Sequence, residues 1–405
     1  MGASLYYFNP TCEMAVANGQ VSYMPPLHLR KFSQDLSALP SFFASKQDVV
    51  LTHTPIPVAF TDNLSRLGFS LPLFIQQPED IDIQRLPLCG LKPWGWSPAI
   101  HYQLKAYKSL CHEAWQRHPM SHWESGHRML LSRSTGYNLL KTIQQLYTPN
   151  YDLIEIPSLP VKLSSLREIE SLTEILSPPA LLKTPWSASG RGLFKIRDLN
   201  EQAEKNAWVK SKLKQQGFLL AEPFLNKIID LSFHYLISEK EVTYLGCNFF
   251  ETDASGQFLG CHTHFPPAAG IDHGMLEQVI KQGSDLIQKA LASMNINHHY
   301  HGPAGVDALL FLNKNGKIRL HPAIELNLRY SMGLLNLHLR KRIHPQANGK
   351  WGIALMNQKQ WQQLADSHHN KPSSTLEDGY IARGVVALTP PPADKGIMAW
   401  LTMES

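Results

Sequence analysis

The chain has 405 residues, 43% of them apolar and 18% charged, a balance that gives a globular protein of two or three domains with a sizeable buried core. Its formal charge of +5 comes from scattered basic residues, and the one dense cluster, Arg340-Lys341-Arg342, reads as a solvated helix end, so no nucleic-acid partner is expected. No apolar run reaches about 18 residues, the N-terminus lacks a basic segment followed by an apolar core, and five scattered cysteines form no C-x-x-C pair; a cytoplasmic protein with reduced thiols and no membrane partner is expected.

In chain order, residues 1–125 read as a small α/β unit. Short strand patterns fall at 4–8 and 48–52, and the turn-rich stretch from Lys92 to Ser97 leads into a helix over 98–117. A second unit, 126–222, holds a helix at 139–147 and another opening at Ser165, where Glu168 has capping-box spacing. A strand at 180–186 and a polar helix at 200–216, stopped by Gly217, complete it. The third unit, 223–405, starts with a strand at 228–238 and an amphipathic helix at 275–294, then strands at 305–312 and 318–328. No internal repeat or low-complexity tract is visible.

The stretch LLKTPWSASGRGLFKI (181–196) runs from an apolar strand into a loop of small residues. Ser187, Ser189, Gly190, Arg191 and Gly192 follow Lys183 closely. Glycines let backbone N–H groups approach an anion, and two cations stand beside them, which suits phosphate.

A strand pair carries the strongest signal. From Ala323 to Arg329 the residues alternate, so Glu325, Asn327 and Arg329 share one face while Ile324, Leu326 and Leu328 face the core. A three-residue turn, Lys314-Asn315-Gly316 with Gly316 left-handed, would pair Asp307 with Ala323 and set it diagonally beside Glu325. Asp307, Glu325 and Asn327 then form a hard oxygen set suited to Mg²⁺. The plainer alternative is a hydrogen-bonded polar face with one surface ion pair.

Three segments together resemble the ATP-grasp superfamily: KTPWSASGRG (183–192), LLAEPFLNKIID (219–230), and GVD (305–307) followed by HPAIELNLRYSMG (321–333). The resemblance implies an α/β (α+β) fold in which two α+β lobes clasp ATP: a small lobe with the phosphate flap over 126–222 and a large lobe with the metal site over 223–405. Residues 1–125, with Asn9-Pro10 and Glu13, resemble the small α/β pre-ATP-grasp domain. It further implies that Lys183 and the flap residues Ser187, Ser189, Gly190, Arg191 and Gly192 meet the phosphates. Glu222, Phe224 and Leu225 would lie at the hinge beside adenine, with Asp230 at the ribose. Asp307, Glu325 and Asn327 would hold one or two Mg²⁺ ions, with Mn²⁺ as a substitute, and Arg329, Lys183 and Arg191 would act in catalysis.

The implied activity is an ATP- and Mg²⁺-dependent carboxylate–amine ligase working through an acyl phosphate, on small-molecule carboxylate and amine substrates and as a homodimer. A phosphotransferase of the same fold and a non-catalytic nucleotide-binding regulator remain as alternatives. The chain departs from the family pattern twice. Gly305 stands where many members carry a basic residue, and the second lysine that some members bring from the domain before the flap is not identifiable; Arg191, Lys195, Arg329 and Arg133 are the candidates to compensate. His262, His264, His298, His299 and His301 match no zinc spacing and read as surface or hydrogen-bonded residues. The P-loop, protein-kinase and G-x-S-x-G signatures do not occur.

Overall fold

The computed structural model of the protein describes residues 2–80, 88–170, 176, 179–187, 190, 192–196, 202–266, 270–367 and 375–403. The chain opens with four short parallel strands: β1 (Ala3–Tyr7), β2 (Val49–Leu51), β3 (Leu73–Ile75) and β4 (Leu88–Pro93), in the order β3-β2-β1-β4. β1 is apolar almost throughout because both its faces are covered, as parallel strands require. The helix expected over 98–117 is broken into Pro98–Gln103, Lys105–Lys108 and a 3₁₀ turn at Glu113–Arg117. The bend lets Trp115 bury its ring against Gly90, where an added Cβ would come within 2.9 Å of it.

A second sheet is antiparallel: β5 (Val161–Leu163), β6 (Ala180–Lys183), β7 (Leu193–Ile196) and β8 (Leu219–Pro223), in the order β5-β8-β6-β7. Helices Leu166–Glu170 and Gln202–Gln216 accompany it. The capping box forms, with Glu168 N–H donating to Ser165 Oγ and Ser165 N–H to a Glu168 carboxylate oxygen, both at 3.3 Å. Gly217, at φ +85°, ends the longer helix by donating to Leu213 C=O. Leu163, Ile169, Leu182, Ile196, Val209 and Leu219 give this sheet a core of its own.

The rest is one nine-stranded sheet: β9 (Asn226–Ile237), β10 (Val242–Thr252), β11 (Phe258–His262), β12 (Gly302–Leu312), β13 (Ile318–Asn327), β14 (Gly349–Met356), β15 (Thr375–Glu377), β16 (Tyr380–Ala387) and β17 (Gly396–Met403). Helix His273–Ser293, capped by Asp272, lies across β9, β10 and β13. Helix Arg133–Leu146 also packs on β13 and on that long helix, so Leu139, Leu140 and Ile143 share a core with Phe233, Leu286 and Leu310. The same core takes in Leu5 and Val49 of the first sheet and Trp96 just beyond it, and a second joins Phe8 and Trp94 to Leu335 and Trp351. The N-terminal unit and the large sheet are thus welded along an apolar seam, while the second sheet has its own core and a small cluster of Val16, Trp186, Phe218 and Leu220 that joins it to helix Cys12–Asn18.

The β12–β13 hairpin sets the geometry of everything that follows. Its turn is the expected three-residue loop: Asn313 N–H donates to Lys317 C=O at 2.9 Å, and Gly316 has φ +70°. From there Leu312 pairs with Ile318 and Leu309 with His321, the register that leads to Ala323 opposite Asp307. The register then slips by two residues. Asp307 pairs with Glu325 itself, not with Ala323 as the regular ladder predicted. The extra residues fall around Pro322, which has no N–H to give the ladder and sits on the sheet's edge strand, where a bulge is tolerated. A slip of two preserves the faces, so the carboxylates still point the same way.

Gly283 on the long helix tests how tightly the sheet is covered. A Cβ there would lie 2.6 Å from Phe233 and 2.7 Å from Leu320. Gly283→Val is expected to lower stability by about 1–3 kcal/mol through overpacking, measured by urea unfolding; unchanged stability would mean that the helix does not seat on β9 and β13.

Candidate functional site

Asp307 and Glu325 face each other across the hairpin and line a cavity of about 480 Å³. Asn327 donates Nδ2–H to Asp307 Oδ2 at 3.0 Å, and its Oδ1 accepts from Arg329 Nη2 at 3.1 Å. Arg329 is held in turn by an ion pair with Glu13 and donates to Tyr330 C=O at 3.0 Å. Glu13 belongs to helix Cys12–Asn18, so the N-terminal unit reaches the large sheet at the strand end that carries the polar row. Asn9 fixes that approach by bracketing Gly95 from both sides, giving Nδ2–H to its C=O at 2.6 Å and accepting its N–H at 3.3 Å. A Cβ on Gly95 would strike Cys12 Sγ at 2.4 Å, so the contact is as close as a backbone allows.

Arg133, at the start of helix Arg133–Leu146, joins two parts of the site. Its Nη2 lies 3.0 Å from Glu325 Oε1, and its Nη1 donates to Thr184 C=O at 2.6 Å and Ser187 Oγ at 2.7 Å. Of the compensating cations named from the sequence, and among the described residues, Arg133 reaches both the Glu325 carboxylate and the flap root. Lys195 instead stacks over the Phe224 ring, 3.3 Å from its centre. Lys183 ends β6, nearly buried, pairs with Glu222 and approaches Ile324 C=O at 3.4 Å. The Glu222 carboxylate is therefore spoken for, and Phe224 N–H is used by Pro179 C=O at 2.9 Å. Asp230 accepts from Lys227 and from Thr252 Oγ1 at 3.0 Å. Lys183, Glu222, Phe224, Leu225 and Asp230 are not among the residues that line this cavity.

The flap candidates Ser189 and Arg191 lie outside the described residues. Gly190, at φ +74°, sits on the β10–β11 turn, where a Cβ would meet Ser255 C=O at 2.5 Å. Gly192 is folded against Thr184 and Ser187, and its C=O accepts Thr184 N–H at 2.9 Å. Gly305 is backed by the buried His234 ring, at 3.4 Å from a Cβ placed there, and Ser331 Oγ is 3.7 Å away. The space above Gly305 is bounded by a histidine and the start of helix Met332–Arg340.

Burial pushes the Asp307 carboxyl up to about 7, with the nearby Glu325 adding to the rise and Arg329 opposing it. Asp307 therefore holds its proton to a higher pH than an exposed carboxyl does. Among the described residues, no group of three or more His, Cys, Asp or Glu is arranged to hold a metal ion. His262 is engaged with Glu251 at 2.6 Å and His264 with Thr263 at 3.1 Å. The donor set at the hairpin is two carboxylates and an amide, which fits an ion that keeps water or phosphate oxygens in its remaining positions.

No family model matches the chain, and no curated protein does. Solved structures do match it over its full length. An ADP complex of N5-carboxyaminoimidazole ribonucleotide synthetase superposes with TM-score 0.51 at 12% identity, covering 100% of this chain and 93% of that one. Biotin carboxylase from Campylobacter jejuni gives 0.50 at 12%, covering 100% and 88%. Pyruvate carboxylase from Rhizobium etli gives 0.51 at 11%, covering 100% of this chain and 36% of that one. The chain has the ATP-grasp fold. Among the described residues, no helix is long and apolar enough to cross a membrane.

Because Asp307 binds its proton more tightly folded than unfolded, its contribution to stability is present in acid and is lost as pH rises from 3.8 towards about 7. A divalent cation at the hairpin must displace that proton. The Mg²⁺-induced rise in unfolding temperature is therefore expected to be larger at about pH 8 than at about pH 5.5, and to shrink in Asp307→Asn. A rise equal at both pH values would remove Asp307 from the ion's ligands.

Proposed function

We propose that this chain is an ATP- and Mg²⁺-dependent ligase that joins a carboxylate to an amine through an acyl phosphate. The observation that carries the reading is Asp307 directly opposite Glu325, with Arg133 tying Glu325 to the flap root at Ser187. Asp307, Glu325 and Asn327 would hold the ion, which when bound would neutralise charge on the β- and γ-phosphates. Lys183 at the end of β6 and Arg133 at the start of helix Arg133–Leu146 would bring positive charge, and the flap around Gly190 and Gly192, with Ser189 and Arg191, would add backbone and side-chain donors. Glu222, Phe224 and Leu225 form the hinge strip for adenine, and Asp230 takes the ribose. The solved structures that share the fold include complexes with ADP and with a β-γ-ATP, which supports a nucleotide as the first substrate.

In this reading a substrate carboxylate oxygen attacks the γ-phosphorus and the bond to the ADP oxygen breaks. The amine nitrogen then attacks the acyl carbon, the carbon–oxygen bond to phosphate breaks, and the amine proton leaves with the phosphate. Most of the rate comes from positioning and charge neutralisation. Arg329, oriented by Glu13, faces the transferred group. Gly190 resting on the β10–β11 turn keeps water from the acyl phosphate, whose hydrolysis would waste ATP.

The test is Mg²⁺-dependent release of ADP and phosphate with pooled carboxylic acids and amines. ADP without free phosphate would identify a phosphotransferase, and tight ADP binding without turnover in any pool would identify a regulator. Glu325→Gln keeps a partner for Arg133 and removes the charge. It is expected to cut turnover by about 100-fold or more with an unfolding temperature close to the native one. Full activity in that variant would refute the assignment. Lys183→Ala is expected to weaken ATP binding by about tenfold or more, read by competition with a fluorescent nucleotide.

A further inference from the structure

The cavity at the hairpin has two unlike ends. The charged residues that line it among the described residues are Arg133, Asp307, Glu325 and Arg329. They are linked to one another directly or through Asn327, by the 3.0 Å Arg133–Glu325 pair, the 3.0 Å Asn327–Asp307 bond and the 3.1 Å Arg329–Asn327 bond, with Asp307 opposite Glu325. They therefore occupy one place. The rest of the wall combines uncharged polar side chains, among them Ser232, Asn248 and Gln257, with an apolar patch. Phe32 of helix Leu27–Asp35, the buried Trp94, Phe258 of β11, Ile353 of β14 and Ile397 of β17 line the cavity and belong to one hydrophobic cluster. Charged neighbours on these walls are turned to other work. Lys31 donates to Lys395 C=O at 2.7 Å, and Asp35 accepts Ile397 N–H at 2.8 Å.

We infer that this apolar end receives the body of the carboxylic acid: uncharged, and about the size of an aromatic or branched amino-acid side chain. The inference rests on the ligase reading and adds the substrate class to it. The acid's carboxylate would stand at the Arg329 end, where the phosphoryl group arrives. A second carboxylate or a phosphate on the acid would lose its water against Phe32, Trp94 and Ile353, with no cation among the described residues of that patch to receive it, which is costly. An aryl or branched alkyl group would gain from the same burial, by about 10- to 100-fold in affinity. The volume of about 480 Å³ leaves room for such a group beside the phosphates and falls in the range of small-ligand sites.

The experiment supplies the full-length protein with MgATP, hydroxylamine as a general amine, and one acid at a time. The acids are 3-phenylpropanoate, 4-methylpentanoate, acetate, succinate and 3-phosphoglycerate, and the hydroxamate formed is measured. The expected result is a kcat/KM for the two apolar acids about 10- to 100-fold above the other three. In Ile353→Arg the preference is expected to move towards succinate, while ADP affinity stays unchanged. Turnover that favours succinate or 3-phosphoglycerate in the native protein would overturn the inference and leave the ligase reading standing. Should no acid react, the ligase reading falls, and calorimetric titration of 3-phenylpropanoate into the MgADP-loaded protein decides the inference alone. Binding that Ile353→Arg weakens at least tenfold would support it, and no binding would overturn it. If Ile353→Arg fails to fold, Phe32→Ala takes its place, with a selective loss for 3-phenylpropanoate expected.

Discussion

The site depends on a register slip. Along most of the β12–β13 ladder the pairing follows from the Asn313–Lys317 turn, and that pairing would leave Asp307 opposite a methyl group. The two residues gained around Pro322 move Glu325 into its place. The energetic price is a short break in the ladder, at an edge strand where one missing N–H costs little. The return is Asp307 directly opposite Glu325 in a buried place, where desolvation and the neighbouring carboxylate raise the Asp307 pKa.

Around this pair the polar residues form a chain of charge compensation. Glu13 holds Arg329, Arg329 holds Asn327, and Asn327 holds Asp307; on the other side Arg133 holds Glu325 and the flap root. Each link leaves fewer buried charges unpartnered, and the links come from all three sheets or the helices attached to them. The N-terminal unit is thus part of the site's electrostatics as well as a neighbour of it.

How much of this the sequence discloses depends on the range of the interaction. The alternation from Glu325 to Arg329, the Gly316 turn, the Ser165–Glu168 capping box and the Gly217 stop are local patterns, and each appears in the structure at its place. The ATP-grasp fold followed from three motifs in order. The slip at Pro322 was hidden because turn chemistry fixes only the near end of a hairpin; the proline itself was the available sign. Arg133 could be named as one of several cations but not chosen, since its distance to Glu325 spans 192 positions of chain folding. The break in the helix over 98–117 was hidden as well, because Trp115 buries against Gly90 only once the tertiary fold exists. The clasp between Glu13 and Arg329 left no local trace at all.

The apolar end of the cavity is built at a seam. Its lining comes from residues near 29–94 and from β11, β14 and β17, and neither set includes a carboxylate or cation of the hairpin. In the proposed ligase, reaction chemistry and molecular recognition would thereby fall to different stretches of polypeptide. Mutational drift in the helix at 27–35 would then reshape what is accepted without disturbing how phosphate is handled, a route to new specificities that leaves the engine alone.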